Sequence, residues 1–359
     1  MEELAGFEGI LGQRIIPANG MYWRRVRPCF YRPLLQFQEY QPGLVKPSAM
    51  ALLGGFQHAV LPEEKANSCL NLLMFEDAEA YSLDCLDYNR KRQAKLAAKQ
   101  FVIQPITDIN EFKQKAYPVY LSFYERTRYQ YGSQRRKEPC FSRWADGLFR
   151  ISNLVILGGY RNGELGGVSV SLLVEDTLCY ATFFCNAESL RLGLSDLMLH
   201  FVREAVAEGQ CAKQIFAGLY KGGKGLDDFY LLRGCKLVRK PALLHLNPLA
   251  AFFLKCFLPE QYARLRGDIK DARGGRAVEQ GTPSQKPSIR AISVETKAVE
   301  LGGCHRVAMT VLRPAAQLEA AKAIPEAARG QGCRGAASAP LQTESLPKIE
   351  TRPLDLGAS

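Results

Sequence analysis

The sequence predicts an α+β domain with a central mixed, mostly antiparallel sheet flanked by helices, and a disordered C-terminal tail. Three observations carry this. Strand-like apolar runs follow one another at 154–160, 165–174 and 177–185 with tight turns between them. An amphipathic helical stretch separates the third run from a fourth at 213–219, so those two strands can lie parallel. Beyond Arg266 the composition shifts to Gly, Ala, Pro, Ser, Thr, Gln and charge without sustained periodicity, which does not bury a core.

The expected division follows composition. Residues 1–82 are an irregular, β-containing region packing on the core, 83–247 the α+β domain, 248–266 a C-terminal helix, and 267–359 the tail. At 359 residues and 47% hydrophobic content the chain can build a substantial core. Its longest apolar stretch, 248–258, is too short to span a bilayer and is interrupted by Lys255. Met1-Glu2-Glu3-Leu4 does not begin a signal peptide, so a cytoplasmic location is expected. Eleven cysteines at irregular spacings, with no C-x-x-C pair, read as reduced and mostly buried small hydrophobes. The formal net charge of +11 favours phosphate-bearing or otherwise acidic partners without choosing among them.

Each element has its own signal. The aromatic and basic run 21–31 alternates as an edge strand with one wet face does, or as a surface for phosphate or membrane does. Residues 87–99 form a basic helix, Asn89 placed to cap it; its cations face either solvent or a nearby anion. A short strand at 101–106 precedes a helix capped by Thr107 or Asp108, containing Phe112, Tyr117, Tyr120 and Tyr124, with Pro118 inside it. A second helix carries Phe141, Trp144 and Leu148. Asn162-Gly163 is a two-residue hairpin turn, because both positions accept positive φ. From about Leu190 to Glu208, Leu194, Leu197, Met198, Phe201, Val202, Ala205 and Val206 share a helix face, and Gly209 ends it. A Gly-rich loop at 222–225 leads to a short helix through Leu226, Phe229 and Tyr230, and 235–246 is the last strand.

This order (strand, helix, helix, three antiparallel strands, helix, strand, helix, strand) resembles the GNAT acyl-CoA N-acyltransferase fold. Local sequence narrows the resemblance. The basic helix with Asn89-Arg90-Lys91-Arg92, and Gly218-Leu219-Tyr220-Lys221 followed by Phe229-Tyr230-Leu231-Leu232-Arg233-Gly234-Cys235, are similar to segments of FemAB-like domains. Those are amino-acyl or acyl transferases of the peptidoglycan-bridge type. The resemblance covers about 83–247.

The resemblance implies N-acyl transfer from acyl-CoA (acetyl-CoA among them) to an amine-bearing acceptor, with no metal. An alternative within the family uses aminoacyl-tRNA, with tRNA as partner; another is a GNAT-shaped binding module without chemistry. The fold places an acyl-pantetheine arm where the third meander strand parts from the next parallel strand, here at Phe184 and Cys185. The loop beyond feeds a helix N-terminus that favours a pyrophosphate. Arg191 would supply charge there, Gly193 close backbone approach and Ser195 a hydroxyl. The familiar loop reads Arg/Gln-x-x-Gly-x-Gly/Ala; Gly193 and Ser195 fit its second half, but Leu190 stands at the first position, so an ordinary strand-to-helix connection stays open.

Such a transfer needs a proton donor for the leaving group. Tyr230 occupies the position many GNAT domains give that residue, with Tyr220 as rival; either also serves as a core aromatic. Asp227 and Asp228 hold an ammonium substrate, act as base through water, or simply favour the short helix's N-terminus. Lys221 and Lys224 flank glycines as an anion clamp or a solvated loop, without P-loop spacing. Asp196, His200 and Arg203, at helical spacing, read as a solvent-facing polar stripe. His58, His200, His245 and His305 form no metal pair.

Overall fold

A computed structural model of the chain describes residues 1–41, 47–127, 133–222 and 225–268. The expected disordered tail lies outside these residues from 269 onward, as does Lys224. The elements in chain order are α1 (Glu2–Ile10), β1 (Ile15–Ala18), β2 (Met21–Arg27), β3 (Phe30–Pro33), β4 (Gly55–Ala59), β5 (Ser68–Phe75), α2 (Tyr88–Ala98), β6 (Val102–Pro105), α3 (Ile109–Thr127) and α4 (Glu138–Leu148). There follow β7 (Leu154–Arg161), β8 (Glu164–Val174), β9 (Thr177–Cys185), α5 (Ala187–Arg191), α6 (Leu194–Gly209), β10 (Gln214–Leu219), α7 (Leu226–Leu231), β11 (Lys236–Leu246), α8 (Pro248–Phe257) and α9 (Pro259–Arg266).

All eleven described strands join one sheet in the order β1-β2-β3-β4-β11-β5-β10-β9-β8-β7-β6. The first five strands therefore extend the same sheet rather than forming a separate layer upon it. Pairing is antiparallel except at β3–β4 and β9–β10. The parallel β9–β10 pair follows from the intervening α6 crossover. The antiparallel meander β7–β8–β9 follows from its turns: Asn162 and Gly163 adopt φ of 53° and 81°, the left-handed values a two-residue hairpin needs.

The sheet's two faces carry separate cores, because alternate residues of a strand point to opposite sides. On β5, Leu70, Leu72 and Met74 face a cluster with α1, α3 and α4; Leu73 and Phe75 face a second cluster with α2, α6 and α7. The first is aromatic: Phe112, Tyr120, Phe141, Trp144 and Phe184 meet with ring centroids 5.3–6.3 Å apart. A third, smaller cluster of Trp23, Tyr31 and Phe56 supports the N-terminal strands. Gln57 donates to the Leu265 carbonyl and Asn71 to that of Gly267, which ties the α9 end to the sheet.

Several local expectations change. Asp87, not Asn89, caps α2, its carboxylate accepting from the Arg90 N–H at 3.0 Å. The C-terminal helix is two helices, divided at Leu258 ahead of Pro259, which cannot continue a helix's hydrogen bonding. Of the nine described cysteines three are buried, Cys179, Cys185 and Cys235, so burial is not their general state. Among the described residues no helix is long and apolar enough to cross a membrane.

Candidate active site

The site begins with a fault in the sheet. β9 and β10 pair over three positions only, Thr177↔Gln214, Leu178↔Ile215 and Cys179↔Phe216. Both strands then run on, β9 to Cys185 and β10 to Leu219. Each stays paired to its outer neighbour, Cys185 with Gly167 of β8 and Leu219 with Leu72 of β5, while the two part from one another. A bulge sits on each strand where they separate. Ala181 is skipped in the β8 register, and Ala217 in the β5 register. Bulges raise local twist and bend a strand, so the pair turns each strand away from the other. The result is a wedge lined by strand edges inside an otherwise continuous sheet. Ala181 is exposed in it, and Thr182, Phe183, Ala217, Gly218 and Leu219 are partly so.

Tyr230 stands beside this wedge. It lies on α7, is 6% exposed, and packs edge-on against Tyr180 of β9, with ring centroids 6.3 Å apart, and against Phe75 of β5 at 6.4 Å. Tyr220 follows the end of β10, its N–H donating to the Asn71 carbonyl at 2.9 Å. Tyr220 and Lys221 line a cavity of about 620 Å³ under α8 and α9. The Asp227 carboxylate, 4% exposed, accepts from the Lys221 N–H at 3.0 Å and so closes the loop between β10 and α7. Asp228 is partly exposed one residue on. The structure thus brings Tyr220, Lys221, Asp227, Asp228 and Tyr230 around one loop.

The stripe Asp196, His200 and Arg203 is not solvent-facing; it is the centre of a buried network. Arg233 donates to Asp196 through Nε at 2.8 Å and Nη2 at 2.6 Å, and to the Phe229 carbonyl at 2.6 Å. Arg203 donates to the Arg233 carbonyl at 2.6 Å, and its guanidinium lies 3.7 Å from the centre of the Tyr81 ring and 4.3 Å from that of Phe75. The Tyr81 hydroxyl and His200 Nδ1 are 3.0 Å apart. Burial pushes the Arg203 and Arg233 guanidinium pKa values down, against the opposing effects of Tyr81 and Asp196 respectively. The network joins α6 to α7 and thereby fixes the helix that carries Tyr230. Its sequence signal was the polar i, i+4, i+7 spacing on α6, whose outer face α2 and α7 cover.

The loop after β9 departs from a simple strand-to-helix turn. The one-turn helix α5 intervenes, capped by Asn186, which accepts from the Ser189 N–H at 2.8 Å. Gly193 then turns at φ 85° into α6. Arg191 is exposed, while Ser195 is buried. α2 lies against this helix start: a Cβ on Gly193 would stand 3.5 Å from that of Ala97 and 3.8 Å from the Gln93 carbonyl. Phe184 is sealed in the aromatic core and Cys185 is packed on the α6 side, so only their backbone is at the strand edge.

Burial raises the Cys179 thiol to about 12 and the Cys185 thiol to about 11. Neither offers a thiolate nucleophile near neutral pH. Among the described residues no group of three His, Cys, Asp or Glu side chains is placed to hold a metal ion.

No family model and no curated protein matches the sequence. Solved structures are similar in fold. A C-terminal domain (DUF2156) from Agrobacterium fabrum, assigned to a lysylphosphatidylglycerol synthetase, aligns with a TM-score of 0.50 at 9% identity, over 75% of this chain and 93% of that one. FemX aligns with a TM-score of 0.49 at 9% identity, over 72% and 93%. L-PGS from Bacillus licheniformis aligns with a TM-score of 0.46 at 12% identity, over 75% and 96%. At such identities the likeness concerns the fold alone. That fold is α+β, a mixed, mostly antiparallel sheet flanked by helices.

Proposed function

We propose that the chain is an N-acyltransferase, moving an acyl group from an activated thioester or ester to an amine. The observation that supports this reading is the wedge between β9 and β10. Strand edges inside a sheet offer N–H and C=O groups to an extended ligand, as in strand addition, without the cost of opening existing pairs. An acyl-bearing arm laid there would bring its carbonyl toward Tyr230.

The chemistry asks little of the protein. The amine nitrogen attacks the carbonyl carbon; the C–S or C–O bond of the tetrahedral intermediate breaks; the nitrogen loses a proton and the leaving atom gains one. Tyr230 is the proposed proton donor to the leaving atom, and Tyr220 the rival. N–H groups at the strand edge would stabilise the oxyanion. With acyl-CoA as donor, the backbone of Phe184 and Cys185 would flank the arm. Arg191, Gly193 and Ser195 would receive the pyrophosphate. On the acceptor side, Asp227 and Asp228 would hold the amine and Lys221 would serve as an anion clamp; Lys224, the other lysine proposed for that clamp, lies outside the described residues.

A second reading, with aminoacyl-tRNA as donor, is favoured by one observation: α2 rests against the α6 N-terminus and turns Arg92, Lys95 and Lys99 outward. A basic helix beside the donor site suits a polyanion, and such binding would weaken steeply with salt.

The test is product formation. The full chain is incubated with an amine mixture and, separately, acetyl-CoA, longer acyl-CoAs or charged tRNA, and products are identified by mass. An amide formed with one donor class, and strongly reduced by Tyr230→Phe, supports the reading. A folded protein that yields no amide with any donor contradicts it.

A further inference from the structure

The cavity of about 620 Å³ between the N-terminal strands and α8–α9 has a composition that the transfer reaction does not require. Arg27, Arg32 and Arg264 line it, Lys221 stands at its β10 end, and among the described residues no Asp or Glu is part of the wall. Most of the remaining wall is apolar, including Leu70 of β5 and Phe253 and Leu254 of α8.

Arg32 is the informative residue. Its Nη2 donates to Gln57 Oε1 at 2.6 Å, and Gln57 is itself held by the Leu265 carbonyl at 2.7 Å and the Ser68 hydroxyl at 3.3 Å. Its Nε is buried and finds no acceptor among the described residues. A guanidinium has five donors and stays charged; Arg32 is partly buried, and one neutral amide and the Phe30 ring 5.8 Å away leave most of those donors for an anion to complete. Among the described residues no carboxylate pairs with Arg27, Arg32 or Arg264; Arg24, the nearby cation, pairs instead with Glu8 at 3.8 Å. Burial, with Arg24 adding to it, pushes the Arg32 pKa down to about 10, which an anion in the cavity would reverse.

Size separates the candidate ligands. Pockets of roughly 300–1,000 Å³ suit organic ligands of drug size, and an inorganic ion would leave most of this one empty. We propose that the cavity binds an amphipathic anion, its phosphate or carboxylate head on Arg32 with Arg27 and Arg264, its hydrocarbon part against Leu70, Phe253 and Leu254. The cavity shares Leu219, Tyr220 and Lys221 with the candidate active site, but Arg27, Arg32 and Arg264, which carry this inference, have no part in the transfer reaction.

The test is calorimetric titration of the full chain, below the micellar limit, with dodecyl phosphate, laurate, inorganic phosphate and dodecyltrimethylammonium. Binding of either anionic amphiphile, at least about tenfold tighter than inorganic phosphate and the cationic amphiphile, is expected. Preference for dodecyl phosphate points to a phosphate head, and for laurate to a carboxylate. Arg32→Met should weaken it by more than about tenfold. Should that variant fail to fold, the exposed pair Arg27→Gln/Arg264→Gln decides, with several-fold weakening expected. Equal binding of cationic and anionic chains, equal binding of inorganic and dodecyl phosphate, no binding, or unchanged binding in the variants would overturn the proposal.

Discussion

Leu194, the first residue of α6, fills the space that a side chain on Gly159 of β7 would take: a Cβ there would stand 2.5 Å from Leu194 Cδ1. Gly167 on the neighbouring strand is similarly close, 2.8 Å from Leu194 Cδ2. Two glycines on adjacent strands thus form a recess that seats the start of α6 at the end of β9. Gly159→Ala should cost about 1–3 kcal/mol by overpacking. Urea denaturation measures it, and a stability equal to wild type would show the recess to be slack.

The Asp196–Arg233 pair holds α7 against α6, with both side chains largely buried, 11% and 7% exposed. Asp196→Ala leaves a buried guanidinium without its carboxylate, and a loss of about 3–5 kcal/mol is expected. Asp196→Asn keeps a hydrogen-bond acceptor and should lose less. Denaturant midpoints of the two variants give the order directly.

His58 gives the fold a pH dependence. It is fully buried among Trp23, Tyr40 and Phe56, and its Nδ1 lies 2.9 Å from the Ala59 carbonyl, as a donating neutral tautomer requires. Burial lowers its folded-state pKa below the ordinary 6.5, the Ala59 bond opposing this in part. Between the two values the unfolded chain binds more protons, so stability rises with pH. The contribution is complete above 6.5 and is lost as the pH falls toward the folded-state value. Urea midpoints should therefore fall between pH 7.5 and pH 5, and fall less in His58→Leu. An equal fall in both would assign the effect to other groups.

Tyr230→Phe keeps the ring contacts with Tyr180 and Phe75 and removes the hydroxyl. If that hydroxyl protonates the leaving atom, kcat should fall about 100-fold, within the usual range for a general acid, with KM for the donor little changed. Tyr220→Phe is the matched comparison. The larger loss identifies the donor, and two unaltered rates would remove tyrosine from the chemistry.

Much of the α+β core could be read because its signals are local. Asn162-Gly163 specifies a hairpin by its φ requirements, and Thr177 to Cys185 is a continuous apolar run ending at a cap, Asn186. What escaped depends on tertiary cover. The spacing of Asp196, His200 and Arg203 is the same on a wet helix as on one covered by α2 and α7. Residues 1–82 show little periodicity, yet their strands complete the sheet through partners as distant as β11, which no local pattern announces. Arg32 and Gln57 are 25 residues apart and meet only because β3 and β4 lie side by side. At the candidate site the sequence placed Tyr230 and Tyr220 around one loop, but the two bulges at Ala181 and Ala217 are a property of register, which the residues themselves do not display.

If the acyl donor lies in the wedge between β9 and β10, filling the wedge abolishes donor binding. The melting temperature of the full chain is measured with acetyl-CoA, longer acyl-CoAs and charged tRNA, in wild type and in Ala181→Trp, which fills the wedge from an exposed position. A ligand at 100 times its Kd adds about 2.7 kcal/mol to the native state. A clear upward shift with one donor class is expected in wild type, and its loss in Ala181→Trp. A shift that survives Ala181→Trp, or none with any donor, would contradict that placement.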